Sequence, residues 1–265
     1  VEKEFKAFVE AAHHLGMRVV VEFVFRTASK DADWVKDHPE WFYWIREEIP
    51  NRKPGSDDAD SYGPPIFPKD DLVKVKEKVL KEDFTGTTPP PENYRKMFRE
   101  PPLPGRIKME KGQWIGTLKD GTRVKIAGAF ADWPPDDNQP PWNDVTYLRM
   151  YDHPDFNYIA YNTIRMYDTR LARAEHANLP LWKTVEDIVP HYQRDFGIDG
   201  VMIDMGHSLP LKLLEQMVHK ARQLDPDFAF WEENFNPTEE SREHGYNAAI
   251  GYLWSDENDP VKMRK

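Results

Sequence analysis

The chain has 265 residues, 39% of them hydrophobic and 13% aromatic, with a formal net charge of −10 and no cysteine. That length suits one large domain or a barrel with insertions. The acidic balance excludes a nucleic-acid or anionic-membrane partner, and the lack of Cys excludes disulfides, a thiolate nucleophile and a Cys metal site.

In chain order, residues 2–15 read as an amphipathic helix with Phe5, Phe8, Val9 and Ala12 on one face and Gly16 as its C-cap. Arg18 to Phe25 follows as a nearly continuous apolar strand, the pattern of a strand buried on both faces of a parallel sheet. Residues 26–145 interrupt this repeat. They hold His38-Pro-Glu-Trp-Phe-Tyr-Trp44, a Pro- and charge-rich stretch with a helix expected near 70–81, and a hairpin over Gln113–Ile126 with Asp120-Gly121 at its turn. Such a long insertion is expected to be a subdomain. Trp41, Phe42 and Trp44 could form a stacking platform for a ligand or the core that seats this insertion.

The repeat resumes after residue 145. Trp182, Val185, Val189, Tyr192 and Phe196 share a helix face, although Pro190 should kink that helix or end it early. The segment Gly197 to Asp204 reads as a buried strand delivering a carboxylate, with His207 close behind. Leu214, Met217, Val218, Ala221 and Leu224 face one way on the next helix, and Phe228-Ala-Phe-Trp-Glu232-Glu233 is a second apolar strand ending in acids. Residues 248–254 could begin another strand. Strand–helix alternation predicts a parallel α/β fold. Two neighbouring parallel strands with acids at their C-terminal tips are the arrangement a retaining glycosidase requires, one carboxylate attacking and the other protonating, about 5 Å apart.

The motifs Arg26-Thr27-Ala28, His38 to Ile45, Asp144-Val-Thr-Tyr-Leu-Arg149, Ile188-Val-Pro-His-Tyr-Gln193 and Asp204-Met-Gly-His-Ser-Leu-Pro210, in this order, resemble the α-amylase superfamily, glycoside hydrolase family thirteen. Within it the chain looks most like bacterial maltosyltransferases that move maltose units between α-1,4-glucans. The resemblance implies part of a (β/α)8 TIM barrel, about strands three to five. Residues 1–25 would supply a helix and strand three, 26–145 a domain B insertion, and 146–265 strands four and five. It implies an α-glucan substrate and a covalent glycosyl-enzyme intermediate.

It further implies that Asp204 is the nucleophile and that a Glu after the next strand is the acid/base. Glu232, directly after the apolar run, fits best, with Glu233 as fallback. The family places an Arg two residues before the nucleophile, where this chain has Met202, and an Asp near the end of strand three, where it has Glu22. Its third acid, after strand seven, has no counterpart in these residues. His207 is expected to bind a sugar hydroxyl or to be a satisfied loop histidine. Arg26 is expected to contact sugar or nucleophile, or to pair with an acid of the insertion. Trp231 and Glu233 complete the expected substrate contacts. No cofactor is expected, because no Gly-rich phosphate loop is present, and no metal, although Asp136, Asp137 and Asn138 are oxygen donors of the kind Ca²⁺ favours. The oligomeric state is not legible. Absence of Cys and of a recognisable signal peptide suits a cytoplasmic protein.

Overall fold

The computed structural model describes residues 1–47, 73, 74, 77, 95–129, 144–153, 157, 173–234, 239–251, 260 and 261. Of the expected helix near 70–81, only Val73, Lys74 and Glu77 are described, all helical; Asp136, Asp137, Asn138 and residues 252–254 lie outside the described residues. The chain divides into two compact units, one made of residues 1–25 and 179–265, the other of residues 26–178.

The first unit alternates helix and strand. Helix α1 (Glu2–His14) leads to strand β1 (Val20–Phe23). The unit continues through α3 (Leu179–Phe196), β9 (Gly200–Ile203), α4 (Leu211–Leu224), β10 (Ala229–Glu233), α5 (Glu239–Glu243) and β11 (Ala248–Ile250). The four strands form one parallel sheet in the order β1-β9-β10-β11, so the predicted parallel α/β pattern is what this unit builds. Gly16 and Gly197, at φ +76° and +74°, end α1 and α3 in the left-handed conformation that glycine adopts without a Cβ clash.

Burial follows strand alternation. Val201, Ile203 and Phe230 are 0% exposed, and Leu213, Leu214, Met217 and Ala221 of α4 belong to the same core. Three details differ from expectation. Strand β1 is only half-buried, because β9 is its sole neighbour among the described residues. Leu224 and Phe8 are exposed, Leu224 because it closes the last turn of α4. Helix α3 runs through Pro190 without ending, and Pro190 is buried beside Val189; packing of that apolar face outweighs the lost backbone hydrogen bond.

Asp199 fastens the start of β9. Its carboxylate accepts from His13 Nε2, the Arg18 guanidinium and the Val19 amide, each at 2.7 Å. These bonds hold its pKa below the ordinary Asp value against the opposing effect of burial. A depressed carboxylate stabilises the fold above its unfolded pKa, and that contribution is lost as pH falls through the folded value. Asp199→Asn is therefore expected to lower stability by about 1–2 kcal/mol at pH 7, with the deficit shrinking below about pH 4. Thermal melts of both forms at pH 7 and pH 3 check this.

The second unit is antiparallel. Strands β3 (Trp44–Arg46), β4 (Phe98–Arg99), β5 (Ile107–Glu110), β6 (Gln113–Thr117) and β7 (Arg123–Ile126) form a sheet in the order β4-β3-β7-β6-β5, and β2 (Thr27–Ser29) pairs with β8 (Val145–Tyr147). A short helix α2 (Trp34–Asp37) also belongs here. The predicted hairpin is β6–β7; Asp120 Oδ1 accepts the Thr122 amide, and Gly121 takes φ +84°. Trp41, Phe42 and Trp44 are 3%, 0% and 0% exposed, which makes them core. The unit runs to Asn178: β8 pairs back to β2, Tyr151 bridges Ala177, and the Asn178 side chain donates to the Arg149 carbonyl.

Candidate active site

The parallel register sets Glu22, Met202 and Trp231 side by side across β1, β9 and β10. Side chains two residues apart share a face. Asp204 and Glu233 therefore extend the Met202 and Trp231 rows at the C-terminal ends of their strands. Phe228, Phe230 and Glu232 belong to the opposite face, with Val201 and Ile203, and all five are buried.

This parity decides between the two acids. Glu233 is hydrogen-bonded to the Asp204 side chain, and its Oε2 accepts the Met205 amide at 3.1 Å. Glu232 is 2% exposed. Of the two candidates for the acid/base, Glu233 is the carboxyl turned toward Asp204, and Glu232 is turned into the core. Strand alternation puts Glu232 in phase with Phe228 and Phe230, but only the structure shows that theirs is the core face.

Asp204 leaves β9 with its amide donating to the Phe23 carbonyl at 2.9 Å. Met205 takes the left-handed conformation, φ 48°, and a 3₁₀ turn over Gly206–Ser208 follows. Ser208 closes the turn, its hydroxyl and amide both donating to the Met205 carbonyl at 2.6 and 2.9 Å. His207 Nδ1 donates to the Glu233 carbonyl at 3.3 Å, so His207 lies beside the acid pair. Trp231 is half-buried on the pair's own face. Arg26 belongs to the second unit, where its guanidinium stands 5.5 Å over the Tyr147 ring.

The acid pair shapes the local electrostatics. Burial, then the hydrogen bond to Asp204, then the negative charges of Asp204 and Glu22 push the Glu233 carboxyl up to about 7; the Met205 amide opposes them. Such a group holds its proton near neutrality and can donate it. Glu22→Gln removes one of those charges, so the Glu233 midpoint is expected to fall. Carboxyl ¹³C titration checks the direction; an unchanged or higher midpoint would place Glu22 outside the site's field.

Tyr246, at the entry to β11, packs beside Gly206 and Glu232 and was not foreseen; nothing in its sequence context marks it. Among the described residues, no group of three or more His, Asp or Glu side chains could hold a metal ion, and no helix is long and apolar enough to cross a membrane.

No protein-family model matches this chain. A curated α-1,4-glucan:maltose-1-phosphate maltosyltransferase from Chlorobaculum tepidum is 45% identical over 42 residues, which are 16% of this chain and 6% of that protein. Among solved structures, the chain is similar to an α-amylase from Lactobacillus plantarum (16% identity, TM-score 0.43, covering 99% of this chain and 38% of that one). It is also similar to the debranching enzyme of Nostoc punctiforme (12% identity, TM-score 0.45, 95% and 33%) and to an Anoxybacillus α-amylase (14% identity, TM-score 0.42, 96% and 34%). The chain thus spans between a third and two-fifths of the length of these solved structures and a far smaller part of the maltosyltransferase.

Proposed function

We propose that this chain carries the acid pair of a retaining enzyme of the α-amylase superfamily acting on α-1,4-linked glucans. In this reading β1, β9 and β10 correspond to strands three, four and five of a (β/α)8 barrel, and residues 26–145 to its domain B. The observation that carries it is the joined carboxyl pair at adjacent parallel strand tips, with Glu233 pushed up to about 7.

Asp204 attacks the anomeric carbon and forms a glycosyl ester as the bond to the leaving oxygen breaks. Glu233 gives that oxygen its proton, then takes one from the acceptor that displaces Asp204. A sugar entering between the carboxyls replaces their mutual hydrogen bond and separates them toward the about 5 Å of retaining enzymes. Water as acceptor gives hydrolysis; a glucan hydroxyl gives transfer. His207 and Trp231 lie beside the pair as sugar contacts; Arg26, in the other unit, is a separate candidate for sugar contact. The matched maltosyltransferase suggests maltose 1-phosphate as a donor to test.

The test is incubation of the full-length protein with maltotetraose, alone and with maltose 1-phosphate, followed by chromatography and anomeric NMR. Products that first appear with the α configuration support the reading. A β configuration would overturn the double displacement. No product from any α-glucan would leave a glucan-binding protein.

A further inference from the structure

We infer that Glu232 and Tyr246 form a buried polar brace behind the Met205–Ser208 turn, and that Glu232 is a positioning residue for Glu233; the catalytic part of this rests on the reading above. Glu232 lies on the core face of β10, in line with Phe230, where a carboxyl is costly unless it is hydrogen-bonded. Its Oε2 is enclosed without a partner, and so is the Tyr246 hydroxyl. Both groups converge on Gly206. A Cβ there would stand 2.5 Å from Tyr246 Oη and 2.9 Å from Glu232 Cγ. A carboxylate oxygen needs a donor and a phenol hydroxyl supplies one, so rotation at the ends of the two side chains satisfies both. Burial and the neighbouring Glu232 charge also raise the Tyr246 pKa above its ordinary value, which keeps the hydroxyl a donor.

The consequence follows from what the turn holds. On its front, the Met205 amide binds Glu233 Oε2 at 3.1 Å. At its back, Gly206 rests on the Glu232–Tyr246 pair. Adjacent residues of one strand thus grip opposite sides of a single turn, Glu233 from the sugar side and Glu232 from the core side. The brace sets where the Met205 amide stands, and through it the orientation of Glu233 toward Asp204.

The experiment compares Tyr246→Phe, Glu232→Leu and Glu232→Gln in the full-length protein, reading kcat and KM on maltotetraose and the Glu233 midpoint by carboxyl ¹³C NMR. Tyr246→Phe and Glu232→Leu are expected to fold, to lower kcat roughly 10- to 100-fold with little change in KM, and to move the Glu233 midpoint up from about 7, because the Met205 amide that holds it down is displaced. Glu232→Gln keeps an acceptor for the hydroxyl and is expected to recover both. A Tyr246→Phe protein with wild-type kcat and midpoint would overturn the brace, whether or not Glu232→Leu folds. So would a Gln variant as impaired as the Leu variant, because charge rather than the hydrogen bond would then matter. If the parent protein turns over no α-glucan, the midpoint still reads the brace, and the two failures are told apart.

Discussion

Glu233→Gln is expected to lower turnover of unactivated α-glucans by about 10²–10⁴-fold, the range for loss of a general acid. Glycosides with an activated aryl leaving group should lose far less in the glycosylation step, because their departing oxygen needs little protonation. The limb of the pH–rate profile that falls as pH rises past about 7 in the parent should vanish with the carboxyl. Asp204→Asn differs in kind. It removes the nucleophile, so both substrate types are expected to be lost together. The same change should raise stability above neutrality. The folded-state Glu233 pKa lies above the ordinary carboxylate value, so the folded state binds more protons than the unfolded one between about pH 4 and pH 7, and stability falls as pH rises through that window. Removing the Asp204 charge lowers that pKa and recovers part of the loss. Kinetics on both substrates, with calorimetry at pH 5 and pH 8, test the pair. A Glu232→Gln protein with the leaving-group pattern described here, beside an ordinary Glu233→Gln protein, would return the acid role to Glu232.

Much of this arrangement is written in periodicity. The apolar runs to Asp204 and Glu232 became adjacent parallel strands because each is too short and too uniformly apolar for a surface helix. The Leu214, Met217, Val218 and Ala221 stripe became the helix packed between them in sequence. The choice between adjacent acids is where the sequence alone is ambiguous. Proximity to the apolar run favoured Glu232, yet Phe228 and Phe230 carry its parity, and the face they occupy is the core. Alternation was legible; which face the helices cover was not, since both faces of a parallel strand read as apolar. The end of the second unit was hidden for another reason. It depends on long-range contacts of β8 with β2 and of Tyr151 with Ala177, which leave no local signal. Tyr246 is the same kind of case, a residue brought to Gly206 only by the parallel pairing of β11 with β10.

Gly206→Ala tests that convergence with the least change in chemistry. The added methyl would lie 2.5 Å from Tyr246 Oη, 2.9 Å from Glu232 Cγ and 3.1 Å from Tyr246 Cζ, all in buried side chains. Neither neighbour can swing into solvent, since Tyr246 is 5% and Glu232 2% exposed. The turn must therefore move, at a cost of about 1–3 kcal/mol for overpacking a core. That movement carries the Met205 amide away from Glu233, so activity is expected to fall further than the stability loss alone explains. Adding Tyr246→Phe removes the nearest clashing atom and should return part of the melting temperature. It also removes the hydroxyl that Glu232 lacks elsewhere, so turnover should stay low. Stability and rate would then separate across one double-mutant cycle. Additive melting temperatures in that cycle would mean that Gly206 and Tyr246 do not press on each other, and Gly206→Ala with the parent's rate would mean that the turn's position does not govern the acid pair.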